Sequence, residues 1–233
     1  MKRNKQYYAR KLHRFLGVFL GIQFLLWTLG GLYFSWTDID EIHGDHFVIE
    51  PEPLAFNSDS LSISDIHESN INSISMVSVL SEPYFWVNES KLYHAATGKL
   101  RDEISESEAI AIANARLIGD IPFKKATYIN EVGKHHEYRN RPLPAWKIDF
   151  DTTEDITVYI DARNGSFQRI RHQQWRWFDF LWMLHTMDYE GRDDMNNAIL
   201  RGFSILGLIT VGSGFALFFM TIRRRKATIS PRN

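Results

Sequence analysis

Phe15–Trp36 reads FLGVFLGIQFLLWTLGGLYFSW, 22 residues without a charged side chain. At helical rise the run spans roughly 33 Å, enough to cross the hydrocarbon core of a bilayer. Before it stand Lys2, Arg3, Lys5, Arg10, Lys11 and Arg14, and no acid precedes Asp38. A buried helix of a soluble protein rarely combines this length with such one-sided flanks. The stretch therefore reads as a membrane span, residues 15–36, preceded by a cytoplasmic basic segment, 1–14. It is longer than the apolar core of a cleaved signal, and it leaves through Leu32-Tyr33-Phe34-Ser35-Trp36, too bulky for a cleavage site, so it reads as a retained anchor.

Gly202–Ile222, GFSILGLITVGSGFALFFMTI, is a second uncharged run, followed at once by Arg223-Arg224-Arg225-Lys226. It reads as span two, with a cytoplasmic basic tail, 223–233. All 28 acidic residues lie between Asp38 and Asp194, and residues 37–201 hold only 16 of the 27 basic ones, so the charge is sharply partitioned. By the positive-inside rule both termini face the cytoplasm and residues 37–201 form one extracytoplasmic domain. Basic termini abutting apolar runs argue for topology rather than for nucleic-acid binding. The chain has no cysteine, which removes disulfides, thiolate metal sites and c-type haem attachment. Asp193, Asp194 and Asn196 are expected caps for the second helix. Gly17 and Gly21 form a GxxxG pair, expected to pack against the second span around Thr210 and Gly214, and Gln23 is the one strongly polar side chain mid-span.

Between the spans, residues 37–59 carry Pro51 and Pro53 and read as a linker. A short helix is expected from Ser60 to Asn70. Ile74–Leu80 and Tyr84–Val87 read as strands around Ser81-Glu82-Pro83, and Lys91–Leu100 as a hairpin turning at Gly98. Ser105 and Glu108 have capping-box spacing, and Ala109, Ile112, Ala113 and Leu117 follow at helical intervals. Strands are expected at Ala126–Val132, Ala145–Phe150, Ile156–Ile160 and Ser166–Ile170. Tyr93-His-Ala-Ala-Thr-Gly98 aligns without gaps with Ile160-Asp-Ala-Arg-Asn-Gly165, each after a strand and before a return strand. The expectation is a duplicated α+β unit, 60–104 and 105–172.

The run ISESEAIAIANARL, then strands, then VYIDARNGSFQRI resembles the PepSY domain, a small helix-plus-sheet module with a Ser/Glu-capped, Ala-rich helix. Asn164 stands where Thr is usual; Thr97 keeps it in the first copy. RKLHRFLGVFLGIQFLLWTLGGLYFSW resembles the first helix of PepSY-associated membrane proteins, so the resemblance covers residues 10–36 and about 60–225. Larger relatives have more spans and include haem-bearing inner-membrane reductases of ferric siderophores. The resemblance implies a reduced two-span version in the bacterial inner membrane: a membrane α+β fold with two transmembrane helices flanking a periplasmic helix-plus-antiparallel-sheet domain.

Gln173–Asp188, QQWRWFDFLWMLHTMD, is dense in aromatics. With its flank, 173–190, it reads as an amphipathic helix on the outer membrane surface, with Trp175, Trp177 and Trp182 at headgroup level, as Trp36 is. The histidines are the remaining chemistry. His185 has two readings, an axial haem ligand paired with His46 or His43, or a headgroup or Asp188 contact. His13 is a haem ligand only if two copies pair in a homodimer; otherwise it touches headgroups. Arg176, Arg192 and Arg201 suggest lipid phosphate contacts. No metal site and no nucleophile elbow, P-loop, HExxH or Rossmann fingerprint is present in the sequence. Two functions follow. One is a non-enzymatic accessory module binding an extracytoplasmic protein partner; the other is a haem-bearing electron-transfer protein of iron uptake, a ferric-chelate reductase.

Overall fold

The computed structural model describes residues 5–51, 55–57 and 61–229. Lys2, Arg3, Pro53, Arg232 and the expected start of a unit at Ser60 lie outside them. The chain divides into two compact units, one of residues 1–36 with 179–233 and the other of residues 37–178.

The first unit contains α1 (Lys5–Trp36) and α5 (Ala198–Ile229). Both are long and apolar enough to cross a membrane, over Arg10–Trp36 and Ala198–Ile222. Only 22% and 11% of their most apolar windows are buried. A soluble core helix would hide such side chains, yet Phe15, Val18, Ile22 and Leu208 are each more than 60% exposed. Apolar surface left open on this scale is what lipid covers. On α1 the buried positions are Leu16, Leu20, Gln23 and Gly30, with Gly17, Gly21, Phe24 and Trp27 among the half-covered ones beside them. Spacings of four, three and seven put these four on one stripe of the helix.

The expected Gly17/Gly21 contact is corrected. Both glycines are half-covered, yet a Cβ placed at either meets nothing within 4 Å, so neither makes a close helix contact. Close approach is made on α5 instead. Gly207 admits the Phe24 ring, a Cβ there lying 3.0 Å from it, and Gly214 faces the His13 ring at 3.3 Å. The α5 cap is also corrected: Asn197, not Asp194 or Asn196, accepts from the Leu200 N–H at 2.8 Å.

The second unit holds two four-stranded antiparallel meanders around one helix. β1 (Ile74–Val79), β2 (Glu82–Val87), β3 (Lys91–His94) and β4 (Leu100–Arg101) make the first sheet in sequence order. β5 (Phe123–Ile129), β6 (Ala145–Phe150), β7 (Thr157–Asp161) and β8 (Phe167–Arg171) make the second. α3 (Glu106–Arg116) begins on Ser105 with both hydrogen bonds of a capping box to Glu108. Its small buried residues Ala109 and Ala113 let it lie close on Ile148, Phe150, Val158 and Ile160, and Val79, Tyr84, Trp86 and Leu92 of the first sheet join the same core. The Arg101 guanidinium donates to the Glu108 carboxylate and to Tyr84 Oη at 3.1 Å, tying sheet to helix. The β1–β2 connection is a two-residue turn with Val79 opposite Glu82, and Leu80 and Ser81 both take positive φ, 50° and 74°.

β5 begins three residues before the expected Ala126, and two expected elements differ in kind. The described part of 37–59 is no open linker up to residue 49: it forms α2 (Ile39–His43), a 3-10 turn over Asp45–Phe47 and an antiparallel bridge of Val48 to Leu117. Ile42 is fully buried, a burial that only the folded partner surface makes possible. In place of a helix from Ser60 to Asn70 there is one 3-10 turn, Ile63–Asp65.

The β3–β4 and β7–β8 turns share a hydrogen-bond pattern. Gly98 N–H donates to His94 O and Gly165 N–H to Asp161 O, both at 2.9 Å. His94 N–H donates to Lys99 O, and Asp161 N–H to Ser166 O. Ala95 N–H donates to Pro83 O and Ala162 N–H to Pro144 O; the two alanine carbonyls accept from Ser62 and Ile104. The 61–66 segment thus meets the first turn as the start of α3 meets the second.

Candidate functional site

α4 (Gln173–Thr186) runs through the division between the units, its first residues grouped with the sheets and its last with the long helices. A helix leaves its last carbonyls without partners. Here Gln23 Nε2 donates to Leu184 O at 3.0 Å, Trp27 Nε1 to His185 O at 2.9 Å and Asn197 Nδ2 to Thr186 O at 2.9 Å. Gln23 therefore has a backbone partner, and in an apolar setting that makes it a fastener rather than a liability.

His185 sits within this end. The rings of Phe34, Trp27 and Trp182 lie at 5.6, 6.2 and 6.3 Å, and Nδ1 is buried without a hydrogen bond. His185 Nδ1 faces the α1 backbone at Gly30, where an added Cβ would lie 3.8 Å away. His13 sits at the other end of α1, roughly 25 Å from Gly30 at helical rise, with its Nδ1 2.8 Å from Ser213 Oγ. His185 and His13 are therefore too far apart to be the two axial ligands of one haem within a single chain.

His43 and His46 belong to the other unit. His43 is exposed, with Asp40 and Asp45 ligand atoms within 4.8 Å. His46 lies against Phe47, ring centroids 3.9 Å apart, and edge-on to His172 at 5.7 Å. His172, unremarked in the sequence, is fully buried; its Nε2 is 3.1 Å from Ile42 O, and Nδ1 has no partner. Burial pushes its pKa below the usual imidazole value, outweighing the Ile42 carbonyl, so the ring is neutral with Nε2–H as the donor.

The most concentrated polar chemistry in this unit was not legible in the sequence. Glu137 accepts from Tyr159 Oη at 2.8 Å and from Arg176 Nε at 2.7 Å, and Arg176 also donates to Asp155 O and Thr157 Oγ1. Burial opposes ionisation of Glu137, but the Arg176 guanidinium overrides it and holds the pKa below the usual carboxylate range. Tyr138 stacks on Tyr159 at 4.5 Å, and burial pushes both phenols up. The donors and acceptors satisfy one another, so the network fastens the 133–142 loop and the start of α4 to β7. Arg176 is thereby committed within its own unit, and Arg192 pairs with Asp179 at 2.6 Å, so neither matches the lipid-phosphate expectation.

The four tryptophans also separate. Trp36 and Trp177 are 80% and 56% exposed. Trp182 packs edge-on to Phe34. Trp175 is corrected: it is buried under Arg171, whose guanidinium lies 3.9 Å over its ring.

The capped helix followed by a four-stranded meander coincides with a known family. Residues 103–171 match the model described as "Peptidase propeptide and YPEB domain", PepSY. This segment is a PepSY domain. It holds α3 and the whole second sheet, and two apolar helices flank it in the chain, consistent with PepSY-associated transmembrane helices. No curated protein and no solved structure matches the chain. The PepSY segment includes Glu137 and Tyr159, whereas Arg176 lies just beyond it on α4.

Proposed function

We propose that this chain is a membrane-anchored, non-enzymatic PepSY accessory module that engages a protein partner on the extracytoplasmic side. The observation that carries the reading is the pairing of two exposed apolar helices with a domain whose densest polar network, Glu137–Tyr159–Arg176, closes on itself. The chain passes the bacterial inner membrane twice, N-in and C-in, with residues 37–201 outside. The charge partition of the sequence supports that orientation, and PepSY domains are typically extracellular. We also read the two meanders as tandem PepSY-like units, the first with a 3-10 turn where the second has α3. The matching turn hydrogen bonds support this.

The absence of cysteine makes the topology directly testable. Single variants Ser64→Cys and Ala227→Cys are exposed to a membrane-impermeant maleimide on spheroplasts. Ser64→Cys is expected to label at once and Ala227→Cys only after permeabilisation; the reverse order would overturn the orientation. Protein purified from haem-supplied cells is expected to be colourless. A Soret band lost in His185→Ala would replace the module reading by the redox one.

A further inference from the structure

A cavity of about 650 Å³ opens in the second unit beside β8, the edge strand of its sheet. Phe167–Arg171 form one wall and residues between His43 and Glu50 the other, with Arg116, the last residue of α3, between them. The wall opposite β8 stands there because of Gly44. Its φ is +85°, and a Cβ would come within 2.8 Å of Ile170 Cγ2. Beyond it, Ile49 N–H donates to Arg116 O and Ile118 N–H to Phe47 O, pinning the segment along the end of α3.

Four arginines line this cavity: Arg116, Arg141, Arg169 and Arg171. Arg116 Nε is buried and lacks a hydrogen-bond partner. Its nearest acid is Glu50, 3.9 Å away and 93% exposed, too loose to neutralise it. Its guanidinium lies over the Phe167 ring at 4.8 Å, which fixes its plane. Arg169 and Arg171 are two apart on β8 and so project to the same side. Arg171 is held by the Glu137 and Ile170 carbonyls and by the Trp175 ring. No ion pair of Arg141 or Arg169 occurs among the described residues. Asp45 and Glu50 are the carboxylates on the lining, so basic groups outnumber acidic ones four to two.

A buried guanidinium donor without an acceptor is a standing cost that an entering oxyanion removes, and the planar fork matches two oxygens at once. We propose that this cleft binds a phosphate-type oxyanion, offered either as a free phosphate or as the headgroup of an anionic lipid. Arg116 takes two of its oxygens, Arg141 and Arg169 supply the flanking charge, and Arg171 fixes the floor.

The test is calorimetric titration of the full chain in neutral detergent at low salt, with inorganic phosphate in one arm. The other arms use dihexanoyl phosphatidylglycerol and dihexanoyl phosphatidylcholine. Saturable heat with phosphate supports the site and a free ligand; heat with the glycerol lipid alone supports the site and a headgroup. In either case Arg141→Gln and Arg169→Gln are expected to weaken binding about tenfold each, as loss of a charged hydrogen bond does, and Arg116→Gln more. Arg169 is exposed, so its variant should unfold with an unchanged midpoint, which separates lost binding from lost fold. No heat in either anionic arm overturns the proposal. So does equal heat with phosphatidylcholine, or affinity that Arg141→Gln and Arg169→Gln leave intact.

Discussion

His172 has no room for a proton. One nitrogen donates to Ile42 O, the other is enclosed without a partner, and burial lowers the pKa. The unfolded chain takes up a proton near the ordinary value, about 6.5, while the folded ring takes one up only at lower pH. Its contribution to stability is therefore complete above about pH 6.5 and is lost as pH falls below it. Denaturant titrations at pH 7.5, 6.5 and 5.5 should show stability decreasing toward the acid end, with a shallower decrease in His172→Phe. His136, lowered mainly by its own burial, acts in the same direction, so part of the slope should survive. Glu137 works in another window. Its folded pKa is depressed by Arg176, so its share is present above the unfolded carboxylate value and lost as pH drops through the folded one. Glu137→Gln should destabilise the domain by about 2 kcal/mol, leaving Arg176 without its charge partner. An unchanged denaturation midpoint in that variant would mean the network is ornamental.

Among the elements, α3 owes its start to sequence-local chemistry, and that is why it was readable. Ser105 and Glu108 satisfy each other's backbone donors without help from the fold. Ser105→Ala is expected to cost about 1 kcal/mol, measured by thermal unfolding. Strand β6 was equally readable, with Ala145–Phe150 matching the expected bounds, because turn residues bracket it. α2 was not, since five residues carry no period and Ile42 is buried only in a fold that brings the distant His172 to its carbonyl. The cleft arginines and the Glu137–Tyr159–Arg176 network were hidden for the same reason: their members are far apart in sequence and individually ordinary. What was visible, the boundary histidines, drew attention to residues that the fold places in two separate units. The matching turns lead to one more test. Gly98 and Gly165 both have positive φ and crowded Cβ positions, so alanine at either should be costly, by about 1 kcal/mol or more.

At the scale of the whole molecule, exposed apolar surface on α1 and α5 supports membrane association. Inside that setting the end of α4 depends on donors from other helices, which no pattern of hydropathy could reveal. Gln23→Leu removes one of the three donors and leaves Leu184 O bare. The expected loss is about 1 kcal/mol, seen as a lower melting midpoint in detergent, with the sheet domain's far-ultraviolet signature retained. If the midpoint does not move, Gln23 is incidental to the assembly of the membrane helices.

The β1–β2 turn has a further consequence. Two-residue connections of this kind favour Asn-Gly, because both positions need a left-handed backbone, yet Leu80 and Ser81 occupy them and Leu80 is 44% exposed. The tip is thus a place where the chain is less stable than its own geometry allows. Leu80→Asn with Ser81→Gly should raise stability by about 1 kcal/mol. If that sturdier protein then holds a partner less well, the exposed leucine is being kept for recognition, and its awkward backbone is the mark of a surface shaped for touching something else.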